Sequence, residues 1–541
     1  MGLRLIYGRA GTGKSEKCYK EISEKIKQNN KILIITPEQF SFTAEKKLME
    51  AIETEAVFNA EVVTFSRMAY RVIQEIGGRT ETNLSKCGKA MLIYSILNNC
   101  KKNLKFLGKT DENVDMAGTA ITEFKKHGIS VEQLKQETEK QSDIYLKNKL
   151  NDINMIYEKF QEQIAGKYID ETDLLTILAQ NVDKVPDFKD NLIYIDEFAG
   201  FTSQEYDIIQ KLVKIAKQVT ITICTDTIHE IKNADTDIFY SNQITINKLL
   251  QLASENDIKI EEVELEQTYR FKTPELKHLE QNLYNPKVKY FEQIPQNIKI
   301  FLAKNQYSEI EEVAKEIYKL VRDENYRYRD IAVITKNIDT YSSLARAIFD
   351  KYNIPIFIDE NRDLSQNILV QYVLSILEIF TKNWTEEAVL NYIKIGFSEI
   401  DEDDLFRLEK YCLKWGIKQN KWKKEFTYGN YEEKDKEEIA RLEEIRKQII
   451  EPLISLKNKL DENKTAEGIS RTIYNFLIEQ NIAEKIKQKQ EKLEEQGLID
   501  LSNEYQNSIQ TIIDILDEIV LVFKDDKITL DKYAQILKVG F

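Results

Sequence analysis

The sequence predicts an α/β fold made of two parallel sheets with long helical insertions. Short apolar runs typical of buried strands alternate with segments of helical periodicity, which is the pattern of a parallel α/β sheet. A glycine-rich loop joins the first such run to a helix at residues 8–15. Two long stretches, residues 81–189 and 396–541, show helical periodicity with few strand candidates, and we expect them to be insertions.

The first sheet is predicted from five apolar runs. One precedes the glycine-rich loop, two follow it, and two come after the helical stretch at residues 81–189, which contains the helical patterns Lys89–Leu97 and Tyr145–Glu162. We therefore predict one domain in two parts, residues 1–80 and 190–295, interrupted by a helical insertion. The predicted strands are Leu3–Tyr7, Lys31–Thr36, Glu61–Thr64, Leu192–Asp196 and Val219–Thr225.

A second α/β domain is predicted to begin at residue 296. Its first part is expected to span residues 296–395, and residues 396–541 are expected to be its helical insertion. The expected elements of the first part are strands at Ile298–Ala303 and Ile331–Thr335 and helices at Ser308–Arg322 and Tyr341–Tyr352.

Composition and charge restrict the class of protein. A chain of 541 residues exceeds what one core holds, and 42% hydrophobic residues exclude a disordered chain. No apolar run approaches the ~20 residues that a membrane span needs, and no secretory signal begins the sequence, so we expect a cytoplasmic protein without a membrane partner. Scattered cysteines and histidines argue against a disulfide framework or a metal cluster. The net charge of −14 excludes a uniformly basic surface but permits a local groove for nucleic acid.

Residues 8–15 form a complete G-x-x-x-x-G-K-S phosphate-binding motif. In such a motif the glycines let backbone N–H groups surround phosphate oxygens, the lysine reaches the outer phosphates, and the serine hydroxyl ligates Mg²⁺. Its place between a predicted strand and a predicted helix is the context that nucleotide binding requires. The alternative is a glycine-rich turn that happens to contain a lysine. We predict a site for a nucleotide and Mg²⁺ that uses Gly8, Gly11, Thr12, Gly13, Lys14 and Ser15.

Two acidic residues at the end of a predicted strand complete this site. Asp196 is expected to hold Mg²⁺ and Glu197 to polarise water, because ligands of open α/β sheets lie at the carboxyl ends of the strands. The alternative is a strand that ends in exposed acids. Further along, Tyr269 and Arg270 are predicted to stack on the base and to reach the γ-phosphate. A helix start with a packed tyrosine and a surface arginine explains those two residues equally well.

Two loops after predicted strands combine aromatic, polar and basic residues. They are residues 36–43 and residues 64–71, both at the predicted carboxyl edge of the first sheet. Aromatic faces with hydrogen-bond donors are the components of a groove for single-stranded nucleic acid. The alternative for Phe42 and Met68 is packing in the core.

Together these segments resemble the N-terminal half of the AddB family, the second subunits of bacterial AddAB helicase–nucleases. The resemblance covers most of the chain. It rests on GRAGTGKS, TPEQFSF, VVTFSRMAYRVIQEIGG, YIDEFAGFTSQEYDII, SEIEEVAKEIYKLVRDENYRYRDIAVITKN, IPIFIDENRDLSQN and LEKYCLKWGIKQNKW. It implies two RecA-like domains of the superfamily 1 helicase type with helical insertions, ATP binding, and a heterodimer with an AddA-type motor subunit.

The same resemblance implies a function on DNA. The family processes double-strand breaks, acting on single- and double-stranded DNA ends, and scans for the Chi sequence that attenuates degradation. Its strand contacts fall in the loops after the second and third strands and after the paired acids. The matching positions in this chain are Gln39, Ser41, Phe65, Arg67, Tyr70 and Phe201.

The chain departs from the motifs of active UvrD-type helicases. Ala199 and Gly200 stand where those enzymes have a glutamine and a second aspartate, and His229 replaces the coupling glutamine of a later motif. We therefore expect ATP binding with weak catalysis by Glu197. The family's nuclease, its four-cysteine iron–sulfur cluster and the arginine that completes the ATP site are expected beyond residue 541.

The leading hypothesis is an ATP-binding, DNA-scanning region of a helicase–nuclease subunit. Three alternatives stay open: a self-sufficient P-loop ATPase or translocase, a small-molecule kinase, and a scaffold with a vestigial nucleotide site.

Overall fold

The computed structural model describes residues 2–52, 59–77, 81–107, 113–229, 237–285, 287–360, 367–429 and 433–540. The chain divides into two compact units, a larger one of Met1–Arg270 with Asn367–Phe541 and a smaller one of Phe271–Gln366. Among the described helices, none combines the length and the apolar character that a membrane span requires.

The described residues of the larger unit form eight strands. They are β1 (Gly2–Gly8), β2 (Ile32–Ile35), β3 (Ala60–Val63), β4 (Thr82–Leu84), β5 (Tyr168–Asp170), β6 (Leu192–Ile195), β7 (Gln218–Cys224) and β8 (Lys259–Glu264). Six of them form a parallel sheet in the order β3-β2-β6-β7-β1-β8, and β4 pairs with β5 separately.

Helices make up most of the rest of the described chain. They are α1 (Lys14–Lys27), α2 (Ser41–Ile52), α3 (Phe65–Ile76), α4 (Lys86–Cys100), α5 (Asn113–Lys126), α6 (Val131–Glu139), α7 (Ile144–Ile164), α8 (Glu171–Asn181), α9 (Ser203–Ile215), α10 (Tyr240–Glu255), α11 (Pro274–Asn282), α12 (Gln306–Asp323), α13 (Ile338–Lys351), α14 (Ile368–Thr381), α15 (Glu386–Lys394), α16 (Glu402–Trp415), α17 (Glu433–Glu462), α18 (Ala466–Glu479), α19 (Ile482–Glu495), α20 (Ile499–Phe523) and α21 (Leu530–Val539).

The predicted α/β fold class and the five predicted strands of the first sheet are confirmed. Successive residues of a strand point to opposite faces of the sheet. Leu5 and Ile35 accordingly lie in one hydrophobic core, and Ile6 and Ile34 lie in another. Burial on both faces explains why these strands are almost continuously apolar. The sequence analysis missed β8 because this edge strand is rich in glutamate and only partly buried.

Two helical segments far apart in sequence share one hydrophobic core. Helices α4–α7 of the first insertion pack with helices α14–α21 around it. The Tyr168 hydroxyl donates to the carbonyl of Leu521 at 2.7 Å, and the Ser85 N–H donates to the Glu518 carboxylate at 3.1 Å. Residues 367–395, which the sequence assigns to the second α/β domain, lie in this larger unit.

The smaller unit contains helices α11–α13 and a small core. The two helices predicted here are confirmed, and α12 and α13 pack through Ile310, Ile317 and Phe349. The strands predicted at Ile298–Ala303 and Ile331–Thr335 are wrong for this structure. A strand needs a hydrogen-bonded neighbour, and none of the described residues of this unit pairs with either segment. Several of their apolar side chains are exposed, among them Ile300, Leu302 and Ile334, and Leu302 is exposed by 100%.

A buried cluster of charges joins helices α4 and α5 to β5 and α8. Asp170 Oδ2 lies 2.8 Å from the Lys89 ammonium and 3.2 Å from that of Lys125, which also pairs with Asp173 at 2.9 Å. The ring of Phe160 lies beneath both ammonium groups. Burial raises the pKa of Asp170, but the two lysines outweigh burial and hold that pKa below its ordinary value.

We expect Asp170→Asn to lower the free energy of unfolding by about 3–5 kcal/mol at pH 7, because it leaves buried ammonium groups short of a counter-charge. Urea unfolding followed by circular dichroism measures this. Glu171→Gln, at the neighbouring exposed position, is the matched control and should have little effect.

Because the pKa of Asp170 is lowered in the folded chain, its ionised form stabilises above the unfolded pKa of about 4. That contribution is lost as the pH falls through the lowered pKa, so the gap between wild type and Asp170→Asn should narrow on acidification. A difference in unfolding free energy that stays constant with pH would contradict the role assigned to Asp170. An equal loss of stability in Glu171→Gln would also contradict it.

Candidate nucleotide-binding site

The glycine-rich loop has the predicted place between a strand and a helix. Strand β1 ends at Gly8, and helix α1 begins at Lys14 with Gly13 as its N-cap residue. The Thr12 hydroxyl donates to the carbonyl of Arg9 at 2.9 Å and closes a turn within the loop. The unpaired backbone N–H groups at the start of α1 therefore face the loop, which suits an anionic ligand.

Lys14 folds back over this loop. Its ammonium donates to the carbonyls of Gly8 at 2.8 Å and Arg9 at 3.0 Å. Burial lowers the pKa of Lys14 below its ordinary value, while the charges of Asp196 and Glu197 oppose that shift. The half-buried lysine is thus held by carbonyls of its own loop.

The segment that contains Tyr269 and Arg270 is hydrogen-bonded to the loop. The N–H groups of both residues donate to the carbonyl of Gly11, at 2.8 and 3.3 Å. Gly11 has a φ of +78°, and a Cβ atom there would lie 2.5 Å from the Cβ of Arg270. A Cβ on Gly8 would lie 2.4 Å from the carbonyl oxygen of Leu265. Glycine is therefore required at both positions by close approach of the chain.

Asp196 directly follows β6 and is buried, with 3% of its surface exposed. Its Oδ1 accepts a hydrogen bond from the hydroxyl of Thr222 on β7. Its Oδ2 is also buried and has no hydrogen-bond partner among the described residues. Since carboxylate and hydroxyl oxygens are the ligands that Mg²⁺ prefers, an orphaned carboxylate oxygen fits a metal ligand.

Glu197 lies between the phosphate loop and helix α2. Its Oε1 accepts from the Ser15 hydroxyl at 3.4 Å and lies 3.4 Å from the ammonium of Lys47. The sequence analysis missed both Lys47 and Thr222. A hydroxyl within the apolar run of β7 is a signal for Thr222, whereas nothing in the pattern of α2 distinguishes Lys47 from other surface lysines.

The three segments predicted to contact DNA begin at one edge of the sheet, but the segment after β3 is helical rather than a loop, since Thr64 caps α3 and α3 begins at Phe65. They follow β2, β3 and β6, which are neighbours whose last residues pair, Ile35 with both Val63 and Ile195. Gln39 is exposed in a single turn of 3₁₀ helix, and the Ser41 hydroxyl donates to the Glu38 carbonyl at 3.0 Å.

The predicted DNA contacts differ in accessibility. Arg67 is exposed and pairs with Glu45 at 3.4 Å. Tyr70 is also exposed and lines a groove of about 300 Å³ with Asn83 and Lys86. Phe65 is 5% exposed, so its ring offers no open face for a base.

The aromatic side chains beside these contacts also separate into buried and open groups. Phe65 packs edge-on against Phe198, and Phe198 packs against the half-buried Phe201. Of the two residues left open as core candidates, Met68 is buried, whereas Phe42 is 76% exposed. An exposed phenylalanine beside Gln39 and Ser41 adds to the stacking surface of this edge.

The replaced helicase positions are on the surface. His229 follows β7, is largely exposed, and lies 3.1 Å from the Glu262 carboxylate of β8. Ala199 and Gly200 are exposed in the loop after Glu197 and carry no polar side chain.

Comparison with known proteins identifies similar chains. Residues 5–280 match the family model described as ADDB, N-terminal. Three proteins, each named as the B subunit of an ATP-dependent helicase/deoxyribonuclease, align with 100% of this chain: those of Clostridium novyi (strain NT), 37% identical over 551 residues, of Caldanaerobacter subterraneus subsp. tengcongensis, 38% over 559, and of Clostridium tetani, 39% over 565. This chain spans about half their length, 48–49%.

We expect Gly11→Ala to lower the free energy of unfolding by about 2–4 kcal/mol, because a clash with Arg270 adds to the cost of a left-handed residue with a side chain. Gly416→Ala is the matched control, since φ is positive there too, but an added Cβ atom would have none of the described neighbouring residues within 4 Å. It should cost only about 1–2 kcal/mol.

Hydrogen exchange followed by mass spectrometry tests the local effect. The amides of Tyr269 and Arg270 should exchange faster in Gly11→Ala and normally in Gly416→Ala. Equal protection in both variants would show that the loop does not hold this segment.

Proposed function

This chain belongs to the AddB family, the B subunits of ATP-dependent helicase/deoxyribonucleases, and we propose that it forms the ATP-binding, DNA-scanning region of such an enzyme. The observation that carries the proposal is the unpartnered, buried oxygen of Asp196 beside a complete phosphate loop. Both lie at the carboxyl edge of a parallel sheet, where ligands of this kind of fold bind.

We propose that the phosphate loop binds ATP through this chain's own donors. The N–H groups at the start of α1 contact phosphate oxygens, and Lys14 exchanges its two carbonyl acceptors for the outer phosphates. The exposed ring of Tyr269 offers a face to the base, and Arg270 supplies a guanidinium to the γ-phosphate. Ser15 and Asp196 would hold Mg²⁺, which supplies neutralisation of phosphate charge when bound.

Catalysis is proposed to be weak. Glu197 orients water through its carboxylate, but Ala199, Gly200 and His229 lack the functional groups that couple ATP to strand movement in active helicases. We propose that an AddA-type partner supplies the motor and that the two form a heterodimer in the cytoplasm. The complex would process double-strand breaks for recombinational repair and scan for Chi.

A path for single-stranded DNA is proposed along the segments that follow β2, β3 and β6. The exposed side chains of Gln39, Arg67 and Tyr70, with the half-buried Ser41, supply donors and one aromatic face. Phe201 would contribute from the half-buried aromatic cluster. Phe65 keeps its place in the proposal as the packing partner beneath that cluster, since its own ring is covered.

We also propose that residues 271–366 form part of a second RecA-like domain. Helices α12 and α13 pack as a pair, and the exposed apolar residues Ile300, Leu302 and Ile334 lie on segments whose composition is typical of strands. The relatives are about twice as long as this chain.

A second candidate function is that of a self-sufficient P-loop ATPase. It is favoured by the presence of Lys14, Ser15, Asp196 and Glu197. The two candidates differ in their response to DNA, because only the DNA-scanning region should bind strands through the loops at the sheet edge.

We expect Lys14→Ala to weaken binding of a fluorescent ATP analogue in the presence of Mg²⁺ by about 10- to 100-fold, which is the value of a charge-assisted hydrogen bond to phosphate. Lys17→Ala is the matched control, because Lys17 is one turn along the same helix and pairs with Glu21 at 3.4 Å. Fluorescence titration measures both.

Equal affinity of Lys14→Ala and the wild type for the ATP analogue would refute the proposed nucleotide site. In Asp196→Asn, affinity should lose its dependence on Mg²⁺, because the orphaned oxygen is the proposed ligand.

We expect Arg67→Ala to weaken binding of an oligo(dT) strand and to reduce the slope of log affinity against log salt by about 0.7, the value for one phosphate contact on a single strand. Arg71→Ala is the matched control, since Arg71 is one turn further along α3 and is paired with Glu61 and Asp187. Fluorescence anisotropy over a salt series measures both.

Tyr70→Leu should weaken binding by about 1–3 kcal/mol without changing that slope, because it removes a stacking face and no charge. If Arg67→Ala and Tyr70→Leu both bind like the wild type, the proposed DNA path is wrong.

A further inference from the structure

The carboxylate of Glu197 is shared between two elements of the site. Its Oε1 lies 3.4 Å from the Ser15 hydroxyl of α1 and 3.4 Å from the Lys47 ammonium of α2. The backbone of Glu197 has a φ of +66°, a left-handed conformation that residues with a side chain rarely adopt. The fold therefore fixes the direction in which this side chain leaves the sheet.

Helix α2 presents Lys47 to this carboxylate from a packed position. Ala44 and Leu48, on either side of Lys47 in sequence, are buried in the hydrophobic core on that face of the sheet. Lys47 and Glu197 themselves are partly exposed, with 41% and 38% of their side chains accessible. Exposed ion pairs contribute little stability, so a modest movement of α2 suffices to break this one.

The same helix is in contact with the proposed DNA path. It begins at Ser41, whose hydroxyl donates to the carbonyl of Glu38 in the preceding turn. Two residues before Lys47, Glu45 pairs with Arg67 of α3 at 3.4 Å. A DNA phosphate at Arg67 would compete with Glu45 for the guanidinium. A DNA strand bound over residues 39–41 would also press on the first turn of α2. A helix transmits such a displacement along its length.

We propose that Lys47 is a positioning residue that restrains Glu197, and that single-stranded DNA on the loop and first turn of α2 releases it. This inference rests on the proposed function and concerns the regulation of the same site. In hydrolysis the oxygen of water bonds to the γ-phosphorus as the bond to the β-phosphate oxygen breaks, and the proton of that water must leave toward an acceptor. The Lys47 ammonium beside Glu197 offsets the charge of the carboxylate and so reduces the attraction of the carboxylate for that proton.

The test measures ATP hydrolysis by the whole chain with and without an oligo(dT) strand. Lys47→Met should raise kcat without DNA by about two- to fivefold, the equivalent of a weak ion pair, and leave KM for ATP unchanged. Stimulation by oligo(dT) should fall by the same factor. Lys47→Arg should restore the wild-type pattern, because it keeps the charge opposite Glu197.

Lys46→Met is the matched control. It removes the same charge from the neighbouring position of the same helix, where Lys46 pairs with Glu50 at 3.9 Å rather than with Glu197. Its hydrolysis should equal that of the wild type with and without DNA. An equal effect of Lys46→Met and Lys47→Met would overturn the inference, as would wild-type kinetics in Lys47→Met or an effect confined to KM.

Binding of a fluorescent ATP analogue separates this inference from the proposed function. A wild-type chain that binds the analogue but hydrolyses no ATP overturns the restraint and leaves the nucleotide site intact, because Glu197 then has no reaction to restrain. A wild-type chain that binds no analogue refutes the proposed function, and the inference fails with it.

Discussion

The parallel pairing of β2, β6, β7 and β1 is the constraint on which the rest of the structure depends. Ile35 pairs with Ile195, and Gly8 pairs with Cys224, so the strands end together at one edge of the sheet. The phosphate loop, Asp196 and the aromatic loops all begin at this edge. Because side chains alternate along a strand, a shift of β6 by one residue would turn Asp196 away from Thr222 and from Lys14. The chemistry of the site is thus a consequence of strand register.

The site combines tightly held groups with weakly held ones. Asp196 is buried and bonded to a neighbouring strand, and the loop at Gly11 is hydrogen-bonded to the segment of Tyr269. By contrast, the contacts that the Glu197 carboxylate makes with Ser15 and Lys47 are partly exposed and contribute little free energy. In the proposed function, phosphate binding needs fixed donors, whereas a step that depends on DNA needs an element whose contacts can be exchanged. The burial of Asp196 and the partial exposure of Glu197 follow this division.

Local patterns predicted five of the eight described strands and several of the described helices. Apolar runs gave the strands of the first sheet because those strands are buried on both faces, and helical periodicity gave α4, α7, α12 and α13. The errors have one physical cause. Strand β8 is polar because it is an edge strand, and the segments at residues 298–303 and 331–335 have strand composition without a pairing partner in the described residues. Pairing is a property of two segments and leaves no sign in one of them.

The order of residues was enough to establish the α/β class, the phosphate loop with its two acids, and the family, because these depend on residues close together or on motifs of fixed spacing. Which residues meet was established by the folded chain. Folding joined two helical segments, separated in sequence by residues 165–367, into one core. It also covered Phe65, exposed Phe42, and brought Lys47 to Glu197. Each of these outcomes depends on distances between residues remote in sequence, which periodicity and composition do not contain.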